Sequence, residues 1–134
     1  MSLKTLENTK TKLHKVEDQE YRRGDIWLVD FNGGATGSEM TGVRPAVIIS
    51  GNIGNRFSSN VVLLAISSQI NKKLLPTHVY LKAEEHNLER DSIVLCEMIT
   101  TKDKWNLMYK LTSLDYKTMA DIEVAIKVNL GIEY

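Results

Sequence analysis

The run Asn60-Val61-Val62-Leu63-Leu64-Ala65-Ile66-Ser67 constrains the fold more than any other stretch of the chain. It is continuously apolar, of strand length, and bounded by polar residues. Successive residues of a strand point to opposite faces. A run that is apolar at every position therefore has to be buried on both faces, which places it centrally in a sheet.

Other strand-like segments surround it. Gly24–Phe31 (GDIWLVDF) and Asp91–Thr101 (DSIVLCEMITT) are rich in β-branched and aromatic residues. Pro45–Ser50 (PAVIIS) is expected to begin a strand at its proline, where no ladder bond is lost. Thr77–Lys82 alternates, with His78, Tyr80 and Lys82 on one side and Val79 and Leu81 on the other. Breakers separate these runs. Asn32–Gly42 holds four glycines and must be a loop. Gly51–Asn60 reads as a connection with one helical turn, Ser68–Pro76 as a loop and Glu84–Arg90 as a turn. Ser113–Gly131 reads as a helix, with Met119, Ile122, Ile126 and Leu130 on one face. Ser113 is its expected cap, Asp115 suits its first turn and Gly131 its end. About five strands closed by a C-terminal helix predict a mainly-β α+β fold, a small SH3-like barrel. Residues 1–20 differ in character. Leu3, Leu6, Leu13 and Val16 fall near helical spacing among charged residues, so we expect an N-terminal arm, helical or disordered, ahead of one domain at 21–134.

Composition narrows the classes. No apolar run approaches the roughly 18 residues of a membrane span, and the charged N-terminus lacks a secretory pattern. A single cysteine, Cys96, allows no internal disulfide, and a cytoplasmic setting is the simplest expectation. Lys+Arg and Asp+Glu are 17 each, which counts against a nonspecific nucleic-acid binder but permits a local basic groove. Three scattered histidines and one cysteine give no metal-ligand spacing, and no cofactor is expected.

The block with chemical content is Gly37-Ser38-Glu39-Met40-Thr41-Gly42-Val43-Arg44-Pro45-Ala46-Val47-Ile48-Ile49. A glycine-rich loop delivers a carboxylate, Glu39. Five residues later Arg44 stands where the loop meets a strand. Pro45 restricts Arg44 to an extended backbone, and the strand anchors it. A mobile loop ending in a held cation suits an anionic substrate.

This block resembles the MazF/PemK/Kid family of toxin endoribonucleases, and most closely its Gram-positive MazF branch. The resemblance runs in order through RRGDIWLVDF at 22–31, GSEMTGVRPAVIIS at 37–50, AISSQINK at 65–72, PTHVYL at 76–81, DSIVLCEMITT at 91–101 and the C-terminal helix. It implies the toxin of a type II toxin–antitoxin system, a homodimer that cuts single-stranded RNA at short sequences without a metal. The RNA 2′-hydroxyl would attack, leaving a 2′,3′-cyclic phosphate and a 5′-hydroxyl. It also implies a MazE-like antitoxin whose acidic tail occupies the RNA groove. Arg44 aligns with the catalytic arginine, whose fork fits a phosphate. Ser67 aligns with a second active-site position, where Gram-positive members carry threonine. Glu39 aligns with a proposed general base. Ser38, Thr41, Ser68, Gln69, Asn71, Lys72, His78 and Glu97 are the expected RNA contacts.

Each residue also has an ordinary reading. An isolated arginine such as Arg44 is usually a surface ion-pair partner, and Glu39 a solvated carboxylate. Ser67 could cap a turn, and His78 could be a hydrogen-bonded structural histidine. Cys96 and Trp27 read as core residues, while Trp105 could stack on a base. Near Glu97, Met98 and Thr100 replace the glutamine and arginine usual in Gram-positive members. That departure keeps open a degenerate RNA or antitoxin binder. A gyrase-poisoning toxin of the same barrel is the other rival, though it would not need Arg44 and Ser67 together.

Overall fold

The computed structural model describes residues 20–32, 41–70 and 73–133. The expected N-terminal arm therefore falls outside the described residues except for Glu20, as do Ser38, Glu39, Asn71 and Lys72. In chain order the elements are β1 (Asp25–Asp30), β2 (Val43–Ile48), α1 (Asn52–Phe57), β3 (Asn60–Ser67), β4 (His78–Leu81), α2 (Ala83–His86), β5 (Ser92–Asp103), a single 3-10 turn (Lys104–Asn106), β6 (Leu107–Ser113) and α3 (Tyr116–Leu130).

The strands form one antiparallel sheet in the order β4-β5-β3-β2-β1-β6. The apolar run at 60–67 is central, with β5 on one side and β2 on the other. Leu63, Leu64 and Ala65 have no exposed surface. Register shifts interrupt the β3–β5 and β1–β6 ladders, and such bulges bend and twist a sheet. The mainly-β architecture with a C-terminal helix is the one expected, with six strands in one sheet rather than about five. The additional strand, β6, lies at an edge. Met108 and Tyr109, consecutive in it, are both about half exposed, so it carries no in–out alternation to read.

Alternation divides the core into two clusters on the two faces of the sheet. Trp27, Val29, Phe31, Ala46, Ile48, Val61, Leu63 and Ala65 pack together, with Tyr21 stacked on Trp27 at 4.8 Å. Ile26, Val47, Leu64, Ile66, Val94 and Cys96 form the other cluster, together with Met119, Ile122 and Ala125 of α3. The helix packs against β4 and β5. Its expected fourth apolar position, Leu130, is instead 55% exposed, because it closes the helix beyond the buried seam.

The caps also differ from expectation. Asp115, not Ser113, is the N-cap of α3, and its carboxylate accepts from the Thr118 N–H at 2.8 Å. The Ser113 hydroxyl donates to Asp25 Oδ1 at 2.9 Å and so ties β6 to β1. Gly131 ends the helix as expected, at φ 70°, with the Ile132 N–H closing onto the Lys127 carbonyl at 2.8 Å.

Candidate active site at the mouth of the first hairpin

The loop between β1 and β2 is gathered at its mouth by three hydrogen bonds. The Phe31 N–H donates to the Gly42 carbonyl at 2.9 Å, and the Gly42 N–H donates to Asn32 Oδ1 at 2.7 Å. The Asn32 N–H in turn donates to Asp30 Oδ1 at 2.9 Å. Gly42 sits at φ +82°, which favours glycine. Asn32 was not among the residues expected from the sequence. A polar residue ending a strand before a glycine loop is its only signal.

Pro45 is the third residue of β2, not its first. The Phe31–Gly42 bond fixes which way the peptide groups of β2 point. Those of Gly42, Arg44 and Ala46 face β1, and those of Pro45 and Val47 face β3. Proline brings no donor, and the β2–β3 ladder begins only at Ala46. Pro45 is thus tolerated where β2 is an edge on that side.

Arg44 pairs with Val29 of β1 and shares the face of Ala46 and Ile48. Its Nε donates to the Thr41 carbonyl at 2.7 Å. That bond aims the fork, and among the described residues nothing engages its two terminal nitrogens. Ala46 pairs with Ala65, and extending this antiparallel register by two residues brings Arg44 opposite Ser67. Both side chains then fall on one face, at the end of the sheet where the β2–β3 ladder has stopped. The Ser67 Oγ accepts from the Gln69 N–H at 3.1 Å, which leaves its own proton free to be donated outward.

The segment that follows Ser67 is tied down again at its far end. Leu75, Pro76, Thr77 and His78 form a turn in which the His78 N–H donates to the Leu75 carbonyl at 2.9 Å. The Leu75 N–H donates to His78 Nδ1 at 3.1 Å, and His78 Nε2 lies 3.0 Å from Glu97 Oε2. The Thr77 carbonyl accepts from the Cys96 N–H at 2.9 Å, which fastens the turn to β5. The His78 side chain is only 12% exposed and that of Glu97 33%. Next to Glu97, burial first and the neighbouring carboxylate second push the Cys96 thiol up to about 12. Cys96 is therefore a core residue, as its sequence context suggested.

The fold thus brings Arg44, Thr41, Ser67, Ser68 and Gln69 to one end of the sheet, with His78 and Glu97 bracing the adjoining segment. It does not bring Trp105 there. The 3-10 turn carrying Trp105 follows Asp103, which pairs with Asn60, the residue of β3 farthest from Ser67. Seven residue steps of strand amount to about 23 Å. Trp27 is buried at 2% exposure and belongs to the core. A cleft of about 540 Å³ opens on the other face of the sheet, lined by Leu28, Pro45, Ile66 and Leu111 and reached by Arg44, Ser68 and Arg90.

Comparison with known proteins assigns the family. A sequence profile described as PemK-like, MazF-like toxin of type II toxin-antitoxin system matches residues 22–130. The Endoribonuclease MazF of Staphylococcus saprophyticus is 43% identical over 111 residues, covering 83% of this chain and 92% of that protein. Endoribonuclease EndoA of Bacillus subtilis is 42% identical over 111 residues, covering 83% and 95%. The fold is also that of a solved mycobacterial endoribonuclease in complex with its cognate antitoxin, with a TM-score of 0.68 at 24% identity over 87% of this chain and 98% of that one. A chain matched by this family profile over residues 22–130, and 42–43% identical to two endoribonucleases over most of their length, belongs to the PemK-like, MazF-like toxins of type II toxin–antitoxin systems.

Proposed function

We propose that residues 21–134 form a sequence-specific, metal-independent endoribonuclease acting on single-stranded RNA. The observation that carries this reading is the Arg44 fork, aimed by the Thr41 carbonyl at the end of the sheet where Ser67 closes β3, with its terminal nitrogens unengaged among the described residues. In the reaction the 2′-oxygen bonds to the adjacent phosphorus and the P–O5′ bond breaks. The 2′-hydroxyl proton goes to a base, and a proton reaches the departing 5′-oxygen. The terminal nitrogens of Arg44 grip the non-bridging oxygens as negative charge builds on them. The Ser67 hydroxyl donates to one of the same oxygens. Glu39 is the base in this scheme. Such proton transfer contributes about 10²–10⁴-fold.

Around this centre Ser38, Thr41, Ser68, Gln69, Asn71 and Lys72 are proposed to contact the strand. Glu97 has one oxygen engaged by His78, and its other oxygen is proposed to accept from a base edge. We further propose a homodimer, cytoplasmic action, and neutralisation by a MazE-like antitoxin. The solved antitoxin complex of the mycobacterial relative supports the last of these.

The test is incubation of the full chain with several unrelated long single-stranded RNAs in EDTA, with mapping of 5′-hydroxyl ends. Discrete cuts that persist in EDTA and disappear in Arg44→Ala are expected. No cleavage of any RNA would leave the degenerate binder standing. Cleavage that survives Arg44→Ala would remove Arg44 from the centre.

A further inference from the structure

His78 has both ring nitrogens and its backbone N–H in use. Nδ1 accepts from the Leu75 N–H, the His78 N–H donates to the Leu75 carbonyl, and Nε2 faces Glu97 Oε2. An Nδ1 that accepts carries no proton. The ring is thus in the neutral form with its hydrogen on Nε2, and that hydrogen is donated to the Glu97 carboxylate. Glu97 fixes the tautomer, and the tautomer fixes Leu75. Leu75 is consequently held through both of its peptide groups by one residue. Leu75 is itself 52% exposed and is tied by no buried side chain of its own.

The segment gripped in this way starts at Ser67, whose Oγ holds the Gln69 N–H, and ends at the Thr77 carbonyl on β5. Between these two anchors the described residues are 68–70 and 73–77. On the proposed reading, on which this inference rests, that segment carries Ser68, Gln69, Asn71 and Lys72 against the RNA. We infer that His78 is a positioning residue, neither a proton carrier nor an RNA contact: with Glu97 selecting its tautomer, it presets the Leu75–Thr77 end of the RNA-contacting stretch by pinning Leu75. Preset segments lose less entropy on binding. The pin should therefore act on affinity and leave the bond-breaking step alone.

Two substitutions separate the two nitrogens. Asn in place of His78 puts an amide oxygen near Nδ1 and can still accept from Leu75, but it cannot reach Glu97. Gln puts an amide nitrogen near Nε2 and can still donate to Glu97, but offers Leu75 nothing. Three proteins are compared in EDTA: the full chain, His78→Asn and His78→Gln. The substrate is an RNA oligonucleotide spanning a cut mapped on a long RNA, and amide exchange at Leu75 is measured on the same samples. His78→Gln should speed Leu75 exchange and raise KM by about tenfold, the scale of one lost partly buried hydrogen bond, with kcat within about twofold. His78→Asn should restore most of both. The inference is overturned if Gln frees the Leu75 amide and KM does not move, if Asn is as impaired as Gln, or if the loss falls on kcat. If the unaltered protein cuts no RNA, the nuclease reading falls and takes this inference with it. If it cuts RNA and the Gln variant keeps its KM, only this inference falls.

Discussion

Gly42→Ala tests whether backbone conformation, and not side-chain contact, sets the entry of Arg44 into its strand. A Cβ built on Gly42 meets only Arg44 Nε, at 4.0 Å, so there is room for a methyl group. The cost lies in the backbone. Gly42 has φ +82°, and a left-handed conformation costs an alanine about 1–2 kcal/mol. Replacing glycine also removes freedom from the unfolded chain, worth about 0.4–1 kcal/mol in the opposite direction. The net destabilisation is about 1 kcal/mol, which for a domain of this size lowers Tm by about 3–5 °C. Gly42→Asn should lose about half as much, because asparagine tolerates this region better. The assay is thermal unfolding of the three proteins, with RNA cleavage measured beside it. Should the alanine variant relax to negative φ, the Phe31–Gly42 and Gly42–Asn32 bonds would break, and cleavage would fall well beyond the stability loss. An alanine variant that melts at or above the parent, or an asparagine variant as costly as alanine, refutes the backbone argument.

Three further outcomes follow from other parts of the molecule. Arg44→Lys keeps the charge but cannot hold Thr41 and fork a phosphate together, so kcat should fall by about 10²-fold with little change in KM, and a loss under about threefold would show that charge alone suffices. Cys96 is buried and its thiol is pushed up to about 12, so a maleimide at pH 8 should label it only after denaturation, and rapid labelling of the folded protein would contradict its placement. The Asp115 carboxyl is held below its ordinary range, first by its hydrogen bond with Thr118. Its contribution to stability is therefore present above the unfolded value and lost as pH falls through the folded one. The Tm gap between the parent and Asp115→Ala should be wide at neutral pH and narrow in acid, and a gap that is constant with pH would refute the charged cap.

The fold was legible in the sequence wherever burial is two-sided or alternates cleanly. Asn60–Ser67 announced its central place, and Gly131 announced the helix end. β6 was not legible because an edge strand with Met108 and Tyr109 both half exposed shows no period. The cap of α3 was misassigned to Ser113 because Ser113 and Asp115 are both good caps. The choice between them rests on a partner 88 residues away, since Asp25 takes the Ser113 hydroxyl. Pro45 was placed too early in its strand for a similar reason. A proline can sit inside a strand that lacks a neighbour on one side, and only the sheet order reveals the missing neighbour. At the site, Arg44 stood out at its own loop–strand junction, but Ser67 was found through resemblance, since 22 residues of chain separate the two and no local pattern links them. The role of Asn32 was illegible because its side chain takes a backbone N–H ten residues on, and that of Leu75 because it acts only through its own peptide groups.

The backbone anchors at Ser67 and His78 make the length of chain between them exchangeable. Ser67 and His78 grip its ends through contacts that do not depend on what lies between them. Doubling the length of such a loop costs about 0.6 kcal/mol in closure entropy. A chain built this way can trade one insert for another while the sheet stays as it is.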